Sequence, residues 1–149
     1  MKSIELIKSL EKEFNKHSNP SIAKSQKAYM RNQFEFIGLT ANKRREIQKK
    51  FFQNLEINDL NKFIYKLWNL NGRDYQYLAQ ELLYSNHKKF KAEDIQLIEY
   101  MIINKPWWDT IDFLSPKILG KYFKLYPEEI EKNTQKWILS NNIWLKRSA

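Results

Sequence analysis

The chain has 149 residues, enough for one domain or most of one. Its 26 Lys and Arg against 17 Asp and Glu leave a formal charge of +9, which points to a polyanionic partner, while 42% hydrophobic and 15% aromatic content excludes a disordered basic tail. With no cysteine, disulfides, iron–sulfur clusters, thiolate zinc and a thiol nucleophile are excluded. No apolar run approaches the ~20 residues that span a bilayer, so a soluble, cytoplasmic protein without membrane association is expected.

Scarce glycine, abundant Leu, Ile, Lys, Glu, Gln and Asn, and apolar spacings of three and four predict an all-helical chain. Ser3 is placed to cap a first helix carrying Ile4, Ile7, Leu10 and Phe14. Asn19 then Pro20 reads as N-cap and first residue of a second helix, running to about Arg31. The segment NQFEFIGLT breaks the period. Thr40 caps a third helix with Ile47 and Phe51 inward, and a fourth begins near Asn58, carries Leu60, Ile64, Leu67 and Trp68, and ends at Gly72. A fifth follows with Tyr75, Leu78, Ala79, Leu82 and Leu83, and a sixth with Ile95, Ile98 and Ile102. Pro106, Pro116 and Pro127 mark three further helix starts. About ten short helices suit stacked antiparallel pairs, a HEAT-like α-solenoid forming one domain over residues 1–149, although no repeat is visible in the sequence.

Only Gly38, Gly72 and Gly120 are present, too scattered for a Rossmann fingerprint or a P-loop, so no nucleotide cofactor is expected. His17 and His87 lie far apart without metal-ligand spacing, and no metal is expected; both read as solvated residues near helix ends. The basic surplus is amino-terminal, with 15 basic and 8 acidic residues in 1–75 against 11 and 9 in 76–149. Lys43, Arg44 and Arg45 open a helix where the dipole prefers acids, which makes them candidate polyanion contacts; the alternative is a solvated charged face.

Residues 105–115 read KPWWDTIDFLS. Trp107, Ile111 and Leu114 form an apolar stripe at i, i+4, i+7, and Trp108, Asp112 and Ser115 lie on the neighbouring face. Asp109, in the first turn, is explained by the unsatisfied amides there. Asp112 lies deeper, where a carboxylate needs either solvent in a cleft or a partner. The terminal NNIWLKRSA places Lys146 and Arg147 in a last turn, as dipole partners or as phosphate contacts.

At these residues the sequence resembles the bacterial DNA alkylation repair enzymes of the AlkD type, DNA glycosylases built from HEAT-like repeats. YMRNQFEFIGLTANKRRE, LWNLNGRDYQYLAQELL, KPWWDTIDFLSPKILG and NNIWLKRSA carry the match in order, from Tyr29 to the last residue. By position Trp108, Asp112 and Arg147 fall on the family's active-site tryptophan, aspartate and arginine, with Trp107 and Asp109 as neighbours. Glu35 and Asn42 stand where many relatives have proline. The resemblance implies a monofunctional glycosylase, a hydrolase that releases cationic N3- or N7-alkylated purines from double-stranded DNA without closing a pocket around the base. It implies no metal and no cofactor, and a monomer is expected. Asp112 would stabilise the oxocarbenium-like sugar and position water, Trp108 would add cation–π attraction, and Arg147 would grip a phosphate. Lys43, Arg44, Arg45, Lys146 and Arg147 are the expected DNA contacts. Relatives continue through further repeats with another active-site tryptophan, so carboxy-terminal repeats are expected to be lacking, leaving Ile138, Ile143 and Trp144 partly exposed. The competing reading is a non-catalytic helical module that docks nucleic acid or protein.

Overall fold

Capping residues set most of the helix boundaries. In a computed structural model of the chain, which describes residues 3–53 and 59–149, the Asn19 side chain accepts the Ser21 and Ile22 amides and Pro20 opens the second helix, while the Thr40 hydroxyl accepts the Lys43 amide and opens the third. The helices are α1 (Ser3–Lys16), α2 (Pro20–Tyr29), α3 (Ala41–Phe52), α4 (Leu60–Trp68), α5 (Arg73–Ser85), α6 (Ile95–Ile103), α7 (Trp108–Phe113), α8 (Gly120–Leu125), α9 (Ile130–Ile138) and α10 (Ile143–Ser148). The chain is all-α, 77% helical with no strand among the described residues, the class expected of HEAT-like helical repeats. Ser3 is itself helical. Asn58 lies outside the described residues; the cap on α4 is Asp59, whose carboxylate accepts the Lys62 amide. The described residues fall into two compact units, Met1–Ala79 and Gln80–Ala149.

In the first unit α1 packs on α3 and α4 and buries Leu6, Ile7, Leu10 and Phe14, the last stacked on Tyr75 at 5.0 Å. A polar centre lies within this apolar frame. Asp74, 1% exposed, accepts the amides of Ile37 at 2.7 Å and Leu39 at 3.2 Å, and so holds the irregular segment after α2. Gln76 donates to the carbonyls of Leu67, Trp68 and Leu70, which the end of α4 leaves open. The buried Arg73 guanidinium lies 3.6 Å over the Phe34 ring, and its amide donates to Glu35. Gly38 is required where this segment meets α2: its φ is +93°, and a Cβ there would come within 2.1 Å of the Asn19 carbonyl oxygen. Gly72 does not end α4, which stops at Trp68; with φ +137° it forms the turn directly before α5.

In the second unit α6 is the inner helix, burying Leu97, Ile98, Met101 and Ile102 against the helical run that starts at α7 and against α10. Tyr122, wholly buried, donates its hydroxyl to the Ala92 carbonyl at 2.6 Å; burial pushes the phenol up to about 12, so it remains a donor. Pro127 opens a short 3₁₀ turn that leads into α9, as expected of a helix start. Pro116 does not start a helix. It sits inside a π-helical turn, Leu114–Leu119, that joins α7 to α8 without a break. The wider turn accepts a residue with no N–H to donate, whose ring would crowd the carbonyl four residues back in an ordinary α-helix.

Candidate active site

Pro106 places the start of α7. Trp107 is extended at the N-cap, Trp108 is the first helical residue, and the Asp109 carboxylate accepts the Thr110 amide at 2.8 Å. Ile111 and Leu114 are buried, so the stripe read from the sequence faces the core from there on. Trp107 is half-buried and meets Trp144 of α10 with ring centroids 6.1 Å apart. One position along from the buried stripe, Trp108 and Asp112 face solvent, with Trp108 37% exposed.

Asn142 caps α10 through the amides of Trp144 and Leu145, and Leu145 is the buried residue that seats this helix. Its last turn brings Arg147 to Asp112: Nη2 donates to Oδ1 at 2.8 Å, across 35 positions of sequence. Both side chains stay open, with 53% of Asp112 and 57% of Arg147 exposed. The pair borders a cleft of about 480 Å³ lined by Ile111, Asp112, Ser115, Pro116, Arg147 and Ser148. Among the described residues no hydrogen bond engages Asp112 Oδ2, and Arg147 makes no hydrogen bond other than the one to Asp112. A carboxylate oxygen and several guanidinium N–H groups are therefore available to a ligand in the cleft. Ser148, which sequence reading did not single out, joins the lining because it follows Arg147 directly.

The basic cluster at the start of α3 divides. Lys43 lies 3.4 Å from Glu46 and is half-exposed, and Arg45 is exposed. Arg44 is placed differently from a DNA contact: 6% exposed, it lies 5.2 Å over the Tyr77 ring in the first unit and close enough to Asp74 to favour that residue's ionised form. It serves the interior because the α3 face that buries Ile47 also turns Arg44 inward. Lys146 is exposed on α10 beside Arg147. Ile138, Leu139 and Ile143 are exposed and Trp144 half-buried. Among the described residues no three His, Asp or Glu side chains gather closely enough to hold a metal ion. Nor is any helix among them long and apolar enough to cross a membrane.

The family of DNA alkylation repair enzymes matches residues 10–149 of this sequence. A solved structure from Enterococcus faecalis, described as a predicted DNA alkylation repair enzyme, is similar with a TM-score of 0.78 and 27% identity. The similarity covers 89% of this chain and 63% of that one, so the chain spans less than two thirds of that protein's length. No curated protein matches the chain.

Proposed function

The chain belongs to the DNA alkylation repair enzyme family, and from that premise we propose that it hydrolyses the N-glycosidic bond of cationic N3- or N7-alkylated purines in duplex DNA. The observation that carries this reading is the Asp112–Arg147 pair, both members open to one cleft, with the exposed Trp108 one turn before Asp112.

An alkylated purine already carries positive charge. When the bond from C1′ to its nitrogen breaks, the electron pair goes to the base, which leaves neutral without a general acid. The sugar left behind has oxocarbenium character, and a preorganised carboxylate stabilises it, as in glycoside hydrolysis. Asp112 supplies that carboxylate. Oδ1 is held by Arg147, while Oδ2 faces the water that adds to C1′ and takes up its proton. The Trp108 face attracts the cationic sugar by about 0.5–2 kcal/mol, the usual cation–π range. Arg147 keeps donors for a phosphate beside the lesion while holding Asp112, so one guanidinium links backbone grip to sugar stabilisation. Lys43, Arg45 and Lys146 add phosphate contacts without reading sequence.

A second reading, a non-catalytic DNA-binding module, is favoured by one observation: the Asp112–Arg147 pair is already formed in the free protein, as a surface ion pair would be. Release of methylated purine from treated duplex DNA separates the two. The enzyme reading expects N7-methylguanine to be freed and neutral uracil to be retained. Tight binding to the same DNA with no base released would make the chain a binding module.

A further inference from the structure

The residue after Arg147 and the residue three past Asp112 are both serines, and their hydroxyl oxygens lie 2.8 Å apart. Ser148 Oγ also lies 2.8 Å from the Trp144 carbonyl oxygen, which can only accept. A hydroxyl has one proton. Ser148 gives its proton to Trp144 and must therefore accept from Ser115, so the chain runs one way, from Ser115 through Ser148 to the Trp144 carbonyl. The π-helical run and α10 thus meet twice along one border, at Ser115–Ser148 and at Asp112–Arg147.

The ion pair is a weak anchor by itself, because both of its side chains are more than half exposed and solvent screens them. Helix α10 has only six residues, too few to hold its own shape. Leu145 and the Trp144 contact with Trp107 seat the opposite part of this helix and leave rotation of its last turn unrestrained. The hydroxyl bridge, half-buried, restrains that turn. We propose that Ser115 and Ser148 form a positioning clasp that fixes the register of α10, so that Arg147 is held on Asp112. The catalytic consequence of the clasp rests on the glycosylase reading above; its structural part does not. Neither serine touches a reacting atom.

The test uses the full chain and its Ser115→Ala, Ser148→Ala, doubly substituted and Ser148→Thr forms. Nuclear magnetic resonance of the Arg147 guanidinium reports whether it rotates slowly, as when gripping a carboxylate. Single-turnover excision of N7-methylguanine from an oligonucleotide separates half-saturation from maximal rate. Each alanine variant should free the guanidinium, the double variant should add nothing to either single one, and threonine should restore the wild-type signal. Half-saturation should rise about fivefold in the alanine variants, the loss of one ordinary hydrogen bond, with a smaller change in maximal rate. Unchanged Arg147 rotation in both alanine variants overturns the clasp, and so does freed rotation with excision kinetics unchanged. If the wild type excises nothing, the function reading fails instead, and the guanidinium signal alone decides the clasp.

Discussion

Asp74 and Asp112 are each an aspartate on a helix within reach of an arginine, yet the surroundings give them opposite work. Asp74 lies in the interior of the first unit with two backbone amides on its carboxylate and Arg44 nearby. Burial nonetheless wins over these partners and raises its pKa above 3.8. Asp112 lies in the second unit at the edge of an open cleft, held at one oxygen by Arg147. A carboxylate whose lone pairs are spent on backbone amides organises a fold. One with an oxygen left to solvent is able to meet a substrate.

The sharpest way to break this contrast is to neutralise each carboxylate in turn. Asp112→Asn should slow single-turnover excision by about 100-fold or more, the scale of losing preorganised transition-state stabilisation, with the melting temperature and duplex affinity kept. Asp109→Asn, which affects only a first-turn amide contact, should lose far less. Equal losses in the two variants would remove Asp112 from its assigned role.

Asp74→Asn should do the reverse. An amide cannot accept both the Ile37 and Leu39 bonds as the carboxylate does, so stability should fall by about 2–4 kcal/mol in denaturant unfolding, with excision per folded molecule retained. The pH dependence follows from the raised pKa. The folded state holds the Asp74 proton more tightly than the unfolded chain, so this group's contribution is full below 3.8 and is lost as pH rises through its folded pKa. That slope should be absent from the asparagine variant. An unfolding curve whose pH dependence is the same in both proteins would contradict the burial argument.

The neighbours Arg44 and Arg45 repeat the contrast on a smaller scale. Arg45→Ala should weaken binding to any duplex and reduce the slope of log affinity against log salt by about one, whereas Arg44→Ala should lower the melting temperature and leave that slope alone. A salt series with two unrelated duplexes checks both. The smallest effect belongs to His87, whose pKa is lowered by partial desolvation, then by Lys121 and Lys88. The unfolded chain then binds the proton more readily, so stability declines slightly as pH falls through 6.5 and levels off below the folded pKa. A proton resonance titration of His87 with a midpoint at or above 6.5 would contradict this.

Local signals were well written in the sequence. Asn19–Pro20, Thr40 and Pro127 acted where capping chemistry placed them, and Leu78, Ala79, Leu82 and Leu83 faced inward as their spacing required. Pro116 was misread because a missing N–H suits a first helical turn and a π-helical turn equally. Arg44 was misread because its partners, Tyr77 and Asp74, lie some thirty residues away, where no local pattern reaches. The same distance hid the roles of Arg73, Asp74 and Gln76. For the candidate site, helical spacing put Trp108 and Asp112 on one face, but their link to Arg147 came only with the resemblance to a family and, as a distance, only with the fold.

The π-helical turn at Leu114–Leu119 has a consequence for how this protein can change over evolutionary time. A helix behaves like a screw, in which each residue advances the thread by about 100°. The wide turn resets the thread once, so that Ile118, Leu119 and Tyr122 point to the core after Asp112 and Ser115 have pointed to the cleft. Deleting one residue from this turn would restore ordinary winding and swing every apolar group beyond it out of phase. Loops elsewhere tolerate insertions and deletions; this stretch should accept substitutions but no change of length, and the spacing between Asp112 and Tyr122 is accordingly fixed by the thread of the helix.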